Sequence, residues 1–182
     1  MLRRSIFIAL ALCLIPQAPS FGRTRPAFFV DQGACPYECC VYRAWTVLRD
    51  TPLYERPNSK SRRIVTLRKG ATVQALTGFV RTRAGRFTVS KDHGRFKAGD
   101  TLWAYTYHGE GMFTVWYKGA MSQEQLDFSP YNNGDYGLGS GSGWGTLDKR
   151  LQSTWWVKMR LKGGRVAWTY HRNDYGNCDA CG

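Results

Sequence analysis

The chain has 182 residues, with 26 Lys and Arg against 13 Asp and Glu, a formal net charge of +13, 14% aromatic residues and 20 glycines. Long helix-forming runs with a 3.6-residue apolar period are missing, which argues against a helical protein, and no apolar run reaches the roughly 20 residues that span a bilayer. The surplus of positive charge favours contact with anionic surfaces without naming which kind.

Residues 1–20 read as a signal peptide. Arg3 and Arg4 form a positive start, Ser5 to Ile15 a short apolar stretch, and Ala18-Pro19-Ser20 the small residues that a signal peptidase reads. Cys13 follows Leu12 rather than a small residue, so a lipid anchor is not expected there. Loss of Arg3 and Arg4 leaves 24 Lys and Arg against 13 acids, a charge of +11 on the exported chain. Export to the periplasm, envelope or exterior places anionic glycans and phospholipid headgroups nearer to hand than nucleic acid. No nucleic-acid partner and no transmembrane segment are therefore expected.

Residues 21–40 form an N-terminal segment carrying Cys35, Cys39 and Cys40, and Cys178 and Cys181 stand at the other end. Ile64 to Leu67 and Thr72 to Thr77 flank a Lys69-Gly70 turn and predict a hairpin. Polar turn residues at Lys91 to Gly94 then interrupt the strand pattern and divide the chain into units 41–90 and 91–182. Leu102 to Tyr107 and Met112 to Tyr117 predict a second hairpin about His108 to Gly111. From Asp127 to Leu147, glycines alternate with small residues around Tyr131, Tyr136 and Trp144, which predicts a flexible surface loop. Next, Trp155, Val157, Met159 and Leu161 alternate with Trp156, Lys158, Arg160 and Lys162, and a turn at Gly163-Gly164 leads to Val166, Trp168 and Tyr170.

Short strands with Gly-containing turns predict an all-β protein of small barrels or sandwiches. The run Thr51 to Gly78, with Leu53, Pro57, Val65, Leu67, Gly70, Val73 and Leu76 at its pattern positions, resembles the first half of a bacterial SH3-like (SH3b) domain. Trp155 to Thr169 is similar to the closing hairpin of that family, with Ala167 where Gly is usual. The layout from Cys39-Cys40-x-Tyr42-x-x-Trp45 to Asp179-Ala180-Cys181-Gly182 resembles small exported proteins of the family. The resemblance implies two small SH3-like barrels, the Gly-rich loop being inserted in the second. The two matched runs are about 75 residues apart, so one barrel with a large insertion is the other arrangement. The resemblance also implies Cys181 as the C-terminal disulfide partner.

Five cysteines remain once Cys13 is removed, and they allow three readings. One of Cys35, Cys39 and Cys40 pairs with Cys178 or Cys181 and closes a loop of about 140 residues, worth roughly 4 to 5 kcal/mol by chain entropy. Alternatively, Cys178-x-x-Cys181 is half of a metal knuckle, although Cys35-x-x-x-Cys39-Cys40 does not supply the other half. Finally, an odd thiol near His93, His108 or His171 is a nucleophile. Asp100 and Glu110 fall in turns, where acids are ordinarily solvated. No catalytic site, metal or cofactor is expected.

What remains is surface recognition. Arg81, Arg83 and Arg86 lie among Phe79 and Phe87, and Trp156 shares a strand face with Lys158 and Arg160. Together with Trp144, these are the candidate ligand-binding residues. Each Trp has a structural alternative: Trp144 fastening the loop to the barrel, and Trp156 covered by neighbouring residues. The expected function is non-catalytic recognition of an anionic cell-envelope component, with peptidoglycan the leading candidate. The alternative is an envelope protein-protein adaptor or inhibitor.

Overall fold

The computed structural model describes residues 24–35, 39–126 and 143–180, and over them the protein is all-β. In chain order the strands are β1 (Phe29–Gln32), β2 (Ala44–Val47), β3 (Thr51–Tyr54), β4 (Arg63–Leu67), β5 (Thr72–Arg83), β6 (Gly85–Val89), β7 (Thr101–Gly109), β8 (Met112–Tyr117), β9 (Ala120–Gln125), β10 (Gly145–Lys149), β11 (Gln152–Arg160), β12 (Val166–Thr169) and β13 (Tyr175–Gly176). Among the described residues no helix is long and apolar enough to cross a membrane.

The strands pair antiparallel in two sheets. The first runs β13-β2-β5-β11-β12-β3-β4 and curls into a half-barrel, with β1 also paired to β5. The second runs β10-β6-β7-β8-β9. The chain therefore leaves the first sheet after β5, builds the second, and returns to lay β11 beside β5.

Strand β5 can serve several partners because it is long and bulged. Opposite Lys158 and Met159 its register slips by one residue, between Thr77 and Ala75. The inward alternation changes phase at that point: Val73 and Ala75 are buried before it, Gly78, Val80 and Thr82 after it. A bulge of this kind bends the strand, and the two halves take different neighbours on one edge, β2 on Thr72 to Gln74 and β1 on Phe79 to Thr82. Gly78 lies next to the bend, where an added Cβ would stand 2.6 Å from the Trp156 carbonyl oxygen and 2.6 Å from Tyr42 Oη. That hydroxyl donates to the Ala34 carbonyl at 2.6 Å, and burial pushes the Tyr42 phenol up to about 12.

Two of the three expected hairpins are present, β7 with β8 and β11 with β12. The first is corrected. Strand β4 pairs with β3 instead of β5, and β5 pairs with β1, β2 and β11. The reason lies in the corner between β4 and β5. Asp50, just before β3, accepts the Lys69 backbone N–H at 2.9 Å and the Arg68 guanidinium at 2.5 Å, and Gly70 N–H donates to the Val47 carbonyl at 2.8 Å. These bonds tie the corner to the β2–β3 connection, so the chain turns across it instead of doubling back.

Each sheet has its own apolar cluster. Trp45, Leu53, Val157 and Met159 centre the first, and Phe87, Leu102, Phe113 and Leu126 the second. Tyr105 joins the sheets: it is fully buried, its hydroxyl donates to the Pro26 carbonyl at 2.5 Å, and its ring lies 6.1 Å from Phe29. The buried Asp174 carboxylate receives Thr51 Oγ1 at 2.8 Å and the Arg49 guanidinium, which fastens the C-terminal turn to the start of β3.

The cysteines depart from the long-range tie through Cys178. Cys35 is bonded to Cys40, closing a local loop, and Cys178 is a free, buried thiol packed in the first cluster. A loop that short is worth about 2 kcal/mol in the chain-entropy account, against roughly 4 to 5 for the long one. Cys39 is also disulfide-bonded, and Cys181 lies outside the described residues. The two ends do meet, through backbone bonds: Val41 N–H to the Cys178 carbonyl and Ala180 N–H to the Cys39 carbonyl, both at 2.9 Å.

Gly78→Ala has no room for its methyl group against two fixed oxygens, and overpacking of this kind costs about 1 to 3 kcal/mol. The variant should unfold at clearly lower denaturant than wild type, and an equal midpoint would contradict the close approach.

Candidate functional site

The pairing of β5 with β11 fixes which side chains share a face. Phe79 stands opposite Trp156, Arg81 opposite Thr154, and Arg83 opposite Gln152. Their chain neighbours Val80, Thr82 and Val157 face inward, each at most 1% exposed. The five residues Arg81, Arg83, Gln152, Thr154 and Trp156 therefore line the outer face of the first sheet. Phe28, leading into β1, forms one wall, and Pro57, Asn58 and Ser59 between β3 and β4 form another. Together they bound an open groove of about 410 Å³, within the range of small-ligand sites.

Trp156 is the floor of this groove. It is only 5% exposed, with Tyr54 meeting it edge-on at 6.3 Å and Tyr170 tilted against it at 5.0 Å. The Asn58–Ser61 turn is held locally, with Lys60 N–H donating to Asn58 Oδ1 at 2.9 Å and Ser61 Oγ donating to the Arg56 carbonyl at 3.0 Å.

The charge on the groove is one-sided. Arg81 Cζ lies 3.7 Å from the centre of the Phe28 ring and Arg83 Cζ 5.1 Å from it. Both side chains are exposed, and among the described residues neither has a carboxylate partner. By contrast Arg49, Arg62, Arg68, Arg86, Arg95, Lys97 and Lys118 are each paired with an acid. Among the described residues the lining contains no Asp, Glu or His. Such a surface attracts anions, and guanidinium forks bind carboxylate or phosphate oxygens in pairs.

Of the residues expected from sequence, the fold brings Arg81, Arg83 and Trp156 together. Lys158 lies further along the same face of β11, its ammonium 5.7 Å from the Trp168 ring. Arg160 is exposed at the end of that strand, opposite Gln74 and Val166. Arg86 belongs to the second sheet, where Asp148 holds it at 2.7 Å. Trp144 lies in the second core at 4% exposure, stacked on His93 at 4.4 Å and Phe96 at 5.6 Å, with Phe87 edge-on at 4.8 Å.

The expected loop 127–147 is corrected at its end. Gly145 to Leu147 is part of β10 and pairs with β6. Gly145 suits that strand because the Phe87 ring packs where a Cβ would stand. Residues 127–142, with Tyr131 and Tyr136, lie outside the described residues.

Phe28, Asn58, Gln152 and Thr154 were not expected. Gln152 and Thr154 continue the Trp156 alternation of β11 and could be found by extending it upstream. Phe28 and Asn58 reach the groove only through tertiary pairing, which leaves no periodic signal.

Other polar groups singled out in the sequence have these surroundings. Asp100 accepts the Tyr117 hydroxyl at 2.6 Å and the Lys97 backbone N–H at 2.8 Å, which hold its carboxyl down to about 2. Glu110 occupies the β7–β8 turn in the left-handed region, φ 50°. Burial pushes the Cys178 thiol up to about 11, opposite to what a nucleophilic thiolate requires. His108 shares a hydrogen bond with Thr114 Oγ1 at 2.7 Å, and His171 Nδ1 lies 3.8 Å from Asp174.

The fold and site thus define an all-β protein with a groove on the outside of its first sheet that carries Arg81 and Arg83. No family model, curated protein or solved structure matches the chain.

Trp144→Ala should lower stability by about 3 to 5 kcal/mol through the cavity it leaves, whereas Arg86→Ala, which removes a half-exposed ion pair, should cost about 1 kcal/mol or less. Thermal denaturation measures both, and a Trp144→Ala protein as stable as wild type would place that ring outside the core.

Proposed function

We propose that this chain is an exported, non-catalytic binding protein built of two SH3-like barrels, the second inserted into the first, and that its groove holds an anionic component of the cell envelope. Peptidoglycan is the leading candidate. The barrel reading is supported by the sheet pairing: the runs Thr51–Gly78 and Trp155–Thr169, which carry the SH3b resemblance, lie in one sheet through β5–β11 and β12–β3. The single observation that carries the binding reading is the pair Arg81 and Arg83, cationic, exposed and without a carboxylate among the described residues, in a groove that also holds Phe28 and Trp156. Cations left unneutralised beside aromatic rings suit a ligand with acidic groups and an organic frame.

Co-sedimentation of the oxidised protein with purified peptidoglycan sacculi tests this reading. Wild type should pellet at low salt and still, in part, at roughly 0.3 M salt, where distant charges are heavily screened. Arg81→Gln with Arg83→Gln should lose most of the salt-resistant fraction. Absence of wild-type binding at both salts, or equal binding by the double variant, would remove peptidoglycan as the ligand of this groove.

A further inference from the structure

Resting on the reading of the groove as a site for an anionic envelope component, and departing from peptidoglycan, whose acidic groups are carboxylates, we infer that its ligand group is a phosphate monoester dianion clamped between Arg81 and Arg83. The two guanidinium groups are placed side by side. They come from residues two apart on β5, so they share a face, and both lie against the single Phe28 ring, at 3.7 and 5.1 Å from its centre. Two like charges gathered on one ring, with no acid in the lining, repel each other until an anion enters. A carboxylate neutralises one of them. A phosphate monoester carries about −1.5 to −2 at neutral pH and offers three acceptor oxygens, enough for two forks at once.

The rest of the lining fits the same group. Asn58, Ser59, Gln152 and Thr154 are neutral and can donate hydrogen bonds to further phosphate oxygens. Asn58 Oδ1 is already used by the Lys60 N–H at 2.9 Å, which leaves its amide NH₂ as the group available to a ligand. Phe28, Pro57 and Trp156 give the organic part of an ester an apolar surface. The two guanidinium groups are the only charged side chains facing the site from β5, and among the described residues those lining it from the β1 side, the β3–β4 connection and β11 include no titratable one. The pH dependence of binding therefore belongs to the ligand.

Titration calorimetry at low salt tests this, with phenyl phosphate, inorganic phosphate and benzoate as probes. Phenyl phosphate should bind wild type at pH 7.5 at least tenfold more tightly than benzoate. The affinity should fall about tenfold by pH 5, because the second phosphate ionisation, near pH 6, is then reversed. Arg81→Gln with Arg83→Gln should weaken it at least tenfold, whereas Lys162→Gln with Arg165→Gln, which removes the same charge at the exposed β11–β12 turn, should leave it within about twofold. Tighter binding of phenyl phosphate than of inorganic phosphate assigns the site to a terminal phosphomonoester, and equal binding assigns it to phosphate itself; both uphold the clamp. Benzoate binding as tight as phenyl phosphate, no loss at pH 5, or full affinity in the groove variant would overturn it. If sacculi bind through Arg81 and Arg83 but phenyl phosphate does not compete, the clamp fails while the proposed function stands. If phenyl phosphate binds and sacculi do not, the clamp stands and peptidoglycan is removed as the ligand of the groove.

Discussion

The pairing of β11 with β5 is the constraint on which the rest of the structure depends. Nine residues of β11, Gln152 to Arg160, find partners on β5 between Arg83 and Gln74. Loop closure entropy opposes that contact, because the whole second sheet lies between the two strands in sequence. It is offset by the burial the pairing brings: Val157 and Met159 enter the cluster of Trp45, Leu53, Val73 and Ala75. The bulge in β5 then bends the sheet, gives one edge to β2 and β1 in turn, and sets Gly78 where only a hydrogen fits beneath Trp156.

The same register makes the groove. Because directly opposed residues share a face, joining Arg81 to Thr154 and Arg83 to Gln152 aligns two cations with two neutral polar groups and leaves Trp156 as the floor. A slip of one residue would turn the cations inward and bury them. The packing of the first sheet and the groove on its outside thus rest on one set of hydrogen-bonded pairs. Three acids are meanwhile engaged at turns and corners: Asp50 at the β4–β5 corner, Asp100 at the start of β7, Asp174 beside β3. Arg81 and Arg83 are among the cations that none of the described carboxylates reaches.

Much of this was legible in the sequence. Period-two alternation in Trp155 to Leu161 marked β11, since a strand with one buried face has no other pattern available, and the Gly-containing turn from His108 to Gly111 marked β7 and β8. Arg81, Arg83 and Trp156 were picked out by residue type, and the structure brings them together. The β4–β5 hairpin was misread because the Lys69-Gly70 turn looks the same whether the strands fold back or cross a corner; Asp50, far off in sequence, decides it. Trp144 could not be placed by composition, since a glycine-rich flank suggests a loop while Gly145 in fact makes room for Phe87. Phe28 and Asn58 reach the groove through tertiary pairing alone. For the cysteines, spacing did not distinguish the local Cys35–Cys40 bond from a long-range one, because both satisfy the same export logic.

The most direct test is an NMR measurement of cross-strand contacts in the labelled, oxidised protein. Nuclear Overhauser effects between the backbones of Arg81 and Thr154, and of Phe79 and Trp156, are expected together with those linking Trp168 to Lys158. Their absence, with contacts joining β5 to β4 instead, would contradict the spliced first sheet and with it the groove.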